Sequence, residues 1–253
     1  DKKIFDDWDV EYPSMKPTPE EILEKAKEMT GKNPKTGKQN YGIWTTAKDT
    51  NIIEFMTAAL YYDAMIAEGE LNDFGNLKWK LNSPEVIKTL EFVGELSKCA
   101  PLAFATGSGN EKWETPENDI AMTFYGGGYK SVIEYKTKGD KSLVERFVPV
   151  MMPGPNGGTM VPCDPIIMAK NPKNAKLSWE VMKFMASKDV LLWYYTDNSG
   201  CPALADTSLF DENDPYTKIG IEISKNAILS HQDFNPFFQS DVTPFIMGYM
   251  IDS

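Results

Sequence analysis

Few side chains in this chain could carry out bond chemistry. His231 is the single histidine among 253 residues. Neither a histidine-rich metal centre nor a Ser-His-Asp arrangement with a choice of base can therefore be assembled. Cys99, Cys163 and Cys201 fit no metal-ligand spacing and are too few for a disulfide framework. They leave open one bridge with a spare thiol or three unpaired cysteines. Carboxylate pairs exist, Glu111 with Glu114 and Asp211 with Glu212 among them, and two carboxylates are what glycoside hydrolysis requires. With 25% of residues charged, such pairs are also expected by chance on solvated faces. The stretch from Asp206 to Asp214 lacks the central glycine and terminal glutamate of a calcium loop.

Gly126-Gly127-Gly128, followed by Tyr129-Lys130-Ser131, does not meet the spacing of a phosphate loop. It can still free backbone N–H groups to meet a ligand oxygen at a helix N-terminus. A plain tight turn explains the same residues. Trp44, Tyr125, Tyr129, Phe234, Phe237 and Phe238 fall at loops or element ends rather than in periodic stripes. Sugar rings pack their C–H faces on aromatic faces, and their hydroxyls need Asp, Asn, Gln or backbone partners. Phe237 and Phe238 could equally fill a core. Trp179, Trp193, Tyr194 and Tyr195, set in helical sequence with Met182 and Met185, are expected to be core.

The elements that position these residues alternate between strand and helix. Thr18-Pro19-Glu20-Glu21 is a capping box opening a helix with Ile22, Ala26 and Met29 on one face and Gly31 at its end. Tyr41 to Trp44 reads as a strand, and a helix is expected from about Ile52 to Glu68. Ser83 and Pro84 start another helix, striped by Val86, Leu90, Val93 and Leu96. Asp119 to Tyr125 reads as a strand leading through the glycine turn to a helix at 129–135. Strands are expected near Phe147 to Met151 and Pro165 to Ala169, and helices from about Lys173 to Thr196 and Tyr216 to Ser230. An apolar-periodic segment runs from Val242 to Ile251.

Composition bounds the function further. At 42% hydrophobic the chain is that of an ordinary folded protein. The net charge of -11, with Arg146 the lone arginine, disfavours nucleic acid and anionic membrane surfaces as partners. No apolar run is long enough for a transmembrane helix.

Five segments, in order, resemble the extracellular solute-binding proteins of family 1, the substrate-binding components of sugar ABC transporters. They are Phe5-Asp6-Asp7-Trp8 with Pro17 to Leu23; Tyr41 to Trp44; Leu81 to Leu96; Asp119 to Met122 with Tyr125 to Tyr129; and Phe147 to Pro202. The family's first N-lobe segment and last C-lobe helix have no counterpart, and Gly128 stands where many relatives carry tryptophan. The resemblance implies an α/β fold of the periplasmic-binding-protein-like kind (class II, maltose-binding-protein-like), mostly one lobe plus part of the other. Residues 1–117 and 168–253 are expected in the C-terminal-type lobe, and 118–167 as a partial N-terminal-type insert.

The implied function is capture of a small solute, a carbohydrate or oligosaccharide, between hinged lobes and delivery to the permease subunits of an ABC importer, without catalysis or cofactor. The implied ligand set is Trp44, Asp49, Asn51, Tyr125, Gly126, Gly127, Tyr129, Asp164, Phe237 and Phe238, with Gln239 nearby. An extracellular or periplasmic location, with a lipid anchor upstream, goes with it. Two rival readings are a hydrolase using a carboxylate pair and an interaction domain exposing Phe234 to Phe238.

Overall fold

In the computed structural model the described residues are 1–45, 52–69, 76–124, 138–161, 166–198, 215–229 and 238–253. After helix α1 (Lys2–Trp8), helix α2 (Pro19–Glu28) starts where the cap predicts, with the Thr18 hydroxyl accepting from Glu21 N at 3.1 Å. Such a cap contributes about 1 kcal/mol. The other half of the box differs from expectation. The Glu21 carboxylate accepts from Ser14 N and Ser14 Oγ, at 2.7 and 2.8 Å, and so ties down the preceding loop instead of the cap residue.

Strands β1 (Gly31–Lys32) and β2 (Gln39–Trp44) pair antiparallel, and β2 pairs in parallel with β5 (Ile120–Thr123). This ladder spans the boundary expected between residues 117 and 118. Helix α3 (Ile53–Tyr61) is shorter than the sequence pattern, because Asp63 adopts a left-handed backbone (φ 55) and ends the run. A small hairpin of β3 (Ala67–Glu68) and β4 (Lys78–Trp79) follows. Ser83 caps α4 (Pro84–Ser97), and the expected stripe is buried: Val86 is 1% exposed, Val93 and Leu96 0%, with Leu90 packed alongside.

Helices α2 and α4 close one side of the core with α3 and α9 (Thr243–Asp252), which brings Ile246 and Met250 inside. Short α5 (Lys141–Arg146) ends in an arginine that binds the Asp1 carboxylate through both Nε (2.7 Å) and Nη2 (2.5 Å). The Asp1 side chain has no exposure. Strand β6 (Met160–Val161) pairs in parallel with β7 (Ile228–Leu229), and the buried hydroxyls of Thr57 and Thr159 meet at 2.6 Å to join α3 to the β6 segment.

Three expectations are corrected. Residues 147–151 and 166–169 enter no ladder among the described residues. Pro149 has no N–H to give to one, and Met151 N is used by Met15 O at 3.1 Å. The single helix expected from about 173 to 196 is two, α6 (Ala175–Met185) and α7 (Lys188–Asn198), broken at Ala186-Ser187. Trp179 and Trp193, expected in the core, are 53% and 60% exposed, because α6 and α7 pack chiefly on each other. Helix α8 (Pro215–Lys225) lies between them and β7 in sequence.

Candidate functional site

Strands β2 and β5 run in the same direction, in the register Tyr41 with Ile120, Ile43 with Met122 and Trp44 with Thr123. Their carboxyl ends are therefore adjacent. The chain leaves the sheet at Thr45 and Phe124 along one edge, the edge at which open α/β sheets characteristically bind ligands.

That edge is held firmly. Gly42 lies so close to α2 that a Cβ there would stand 1.9 Å from the Ala26 carbonyl oxygen. Thr30 bridges the two elements, its hydroxyl accepting from Gly42 N at 3.0 Å and donating to Ala26 O at 2.7 Å. One residue beyond β2, the buried Thr45 hydroxyl donates to Glu54 Oε1 at 2.8 Å, which locks the strand exit to the first turn of α3. On the β5 side, Phe124 is in the core and Asp119 O accepts from Tyr41 N at 2.8 Å.

Trp44 is half-buried, and its indole N–H donates to Ser108 O at 3.1 Å. With the donor committed to the protein, the ring face is what the side chain offers. The loop beneath it turns at Gly107 and Gly109, both at positive φ, and the exposed Glu111 carboxylate accepts from Gly109 N at 3.0 Å. That backbone bond, first among the causes, holds the Glu111 carboxyl below its usual range. Glu114, by contrast, is 1% exposed. The two halves of this carboxylate pair thus share no open surface.

Of the other predicted site residues, Asp49, Asn51, Tyr125, Gly126, Gly127, Tyr129, Asp164 and Phe237 lie outside the described residues, as do His231 and the Asp211-Glu212 pair. Phe238 is 2% exposed and packs in the core with Phe124, Val242 and Ile246. The supporting contacts from Ser108, Thr30 and Glu54 carry no signal in the sequence. Only glycine at position 42, in a strand, hints at a close approach.

A cavity of about 370 Å³ lies between α1, β5, residues 147–153 and α8, and it reaches the strand edge at Thr123 and Phe124. Phe5, Tyr12, Trp113, Phe147 and Tyr216 are among its walls, and of the predicted ligand residues that are described, Trp44 and Phe238, neither is. Its rim is closed in part by the Tyr216 hydroxyl, which donates to Phe147 O. Among the described residues no group of three or more His, Cys, Asp or Glu is placed to hold a metal ion, and no helix is long and apolar enough to cross a membrane.

No protein-family model matches the chain, and no curated protein matches its sequence. Solved structures do. The chain superposes with a TM-score of 0.71 on an ABC transporter solute-binding protein from Thermotoga lettingae TMO, solved with α-D-tagatose bound, at 17% identity over 99% of this chain. The fold is that of an ABC-transporter solute-binding protein. A putative oligosaccharide periplasmic-binding protein from Synechococcus sp. MITs9220 matches with a TM-score of 0.69 at 12% identity, over 98% of this chain. A sugar transporter protein from Rhizobium etli, in an open conformation, matches with a TM-score of 0.65 at 17% identity over 99%. The chain spans 64% of the length of each of these three. The solute-binding fold thus accounts for almost all of these residues, while more than a third of each relative has no counterpart among them.

Proposed function

We propose that this chain is the larger part of a binding protein that captures a carbohydrate or oligosaccharide between two hinged lobes and delivers it to the permease of an ABC importer. The observation that carries the proposal is the parallel β2–β5 ladder ending at Trp44 and Thr123. It starts the segments bearing Asp49, Asn51, Tyr125, Gly126, Gly127 and Tyr129 from one sheet edge, inside a fold shared with sugar-binding proteins. In this reading Trp44 offers its ring face to sugar C–H groups, Asp49 and Asn51 take hydroxyls, and the glycine turn gives backbone N–H groups. Asp164 and Phe237 act from the neighbouring crossing, and Phe238 supports them from the core. The work is binding, with closure stabilised by solute contacts made to both lobes at once. An extracellular or periplasmic protein, tethered by a lipid anchor upstream, suits that task.

Titration calorimetry with a monosaccharide such as tagatose, and with a short oligosaccharide, tests the proposal on a polypeptide carrying both lobes. Trp44→Ala should weaken binding by roughly ten-fold, about 1.4 kcal/mol, and Trp44→Phe by less. A protein that binds neither class of sugar, or binds them equally well without Trp44, would overturn it.

A further inference from the structure

A single peptide unit links Trp44 to an exposed carboxylate. The Ser108 carbonyl accepts from the Trp44 indole N–H at 3.1 Å, and the Gly109 N–H donates to Glu111 Oε1 at 3.0 Å. That carbonyl and that N–H belong to one trans peptide, so they point in opposite directions, one to each side chain. The residues flanking the unit are anchored. Ser108 N donates to Ala103 O at 3.0 Å, and Gly109 is so close to Pro101 that a Cβ there would stand 2.8 Å from Pro101 Cγ. The plane between them is freer, because Gly109 has φ 97 and glycine takes positive and negative φ about equally well. Turning the plane over interconverts two common turn types and carries the Ser108 oxygen away from the indole. Only the present orientation gives Glu111 its N–H.

We infer that Glu111 is a positioning residue for the proposed solute site: it fixes the Ser108–Gly109 peptide and, through it, the ring plane of Trp44. The inference rests on the reading of Trp44 as a sugar platform. A carboxylate on the N–H polarises the amide and makes its carbonyl a stronger acceptor for the indole. Lys112, next in the chain, is committed to Asp119 at 2.7 Å, which leaves the Glu111 carboxylate to the Gly109 N–H. The same backbone bond is the first cause of the lowered Glu111 carboxyl, so loop and carboxylate favour each other. An exposed bond of this kind adds little to global stability, but a glycine plane with two comparable orientations needs little to choose one. A fixed ring plane in turn decides which C–H face of a sugar it can stack on. Glu111 then acts on the site without touching the solute.

The first test needs no sugar. In the 253-residue chain the indole proton of Trp44 is followed by NMR, assigned through its loss in Trp44→Phe. Glu111→Ala should speed its exchange with solvent by roughly ten-fold, and Glu111→Gln, which keeps an acceptor for Gly109 N, by only about two- to three-fold. Both variants should melt within about 2 °C of the parent, so that general loosening is not the cause. The second test uses a polypeptide carrying both lobes. Glu111→Ala should weaken sugar binding by roughly three- to ten-fold, and should add nothing further in the Trp44→Ala protein, because it acts through that ring. Unchanged indole exchange, faster exchange accompanied by a general fall in melting temperature, or a loss of affinity that persists in full without Trp44 would each refute the inference. A two-lobed polypeptide that binds no sugar fails the solute reading instead, and the indole exchange still decides whether Glu111 orients Trp44.

Discussion

Trp44 and Thr123 stand side by side as the last pair of a parallel ladder, on strands that α3, the β3–β4 hairpin and α4 separate in the chain. Their adjacency makes a single edge from two distant loops. The Thr45–Glu54 bond fixes one exit from that edge, and burial of Phe124 fixes the other. A site built there inherits the rigidity of the sheet.

That rigidity should be measurable at position 45. Thr45→Val keeps the shape of the side chain and removes the donor that Glu54 Oε1 accepts in a fully buried place. Stability in urea should fall by about 1–3 kcal/mol with an unchanged m-value. A loss of only a few tenths would mean that the bond does not hold the strand exit.

Two glycines should respond in opposite directions. Gly42→Ala places a Cβ against the α2 backbone at 1.9 Å, where no side chain can move aside, and should cost about 3 kcal/mol or more. At Gly220, inside α8, a Cβ meets nothing within 4 Å. Gly220→Ala should therefore stabilise by roughly 0.5–1 kcal/mol. Chemical denaturation of both variants checks the contrast.

Arg146 holds the start of α1 to the end of α5 through a two-pronged bond to a carboxylate with no solvent exposure. Asn118 Nδ2 and Lys3 N also donate to that carboxylate, at 2.7 and 3.0 Å. Arg146→Ala leaves the buried charge without its cation and should cost about 3–5 kcal/mol. Arg146→Lys should recover only part of this, since an ammonium cannot reproduce the planar fork. Thermal unfolding of the two variants separates the charge from the geometry.

Acid should loosen the α2–α4 contact. Hydrogen bonds from Lys27, then from Lys98, hold the Glu95 carboxyl down at about 2. A depressed carboxyl contributes stability above its unfolded value and loses it as pH falls through the folded one. The loss is therefore expected between about pH 5 and pH 2. The pair lies at the surface, so the amount is under about 1 kcal/mol and shrinks further in 1 M salt. Glu95→Gln should flatten this part of the stability profile, and an unchanged profile would count against the contact.

How far the sequence discloses the fold depends on whether the signal is local. The caps at Thr18 and Ser83, the strand through Tyr41 to Trp44 and the stripe of α4 are legible because each is set by residues within a few positions. The Ile52 helix is overextended because a left-handed Asp63 leaves no pattern. Residues 147–151 read as a strand from their apolar run, whereas Pro149 and the bond from Met151 N to Met15 O take them out of a ladder. Trp179 and Trp193 show the deeper limit. Periodicity identifies an apolar stripe, but it cannot say whether anything in the same chain covers it. The site is legible only as residue types, since the contact that orients Trp44 comes from a backbone carbonyl at Ser108.

The most direct measurement for the proposed site is a hydrogen-exchange footprint of the two-lobed polypeptide with and without saturating sugar. Protection should concentrate on residues 44–51 and 123–130, the segments that leave the shared strand edge. Protection confined to the cavity walls away from that edge, around Trp113, residues 147–153 and Tyr216 to Ile223, would contradict the account.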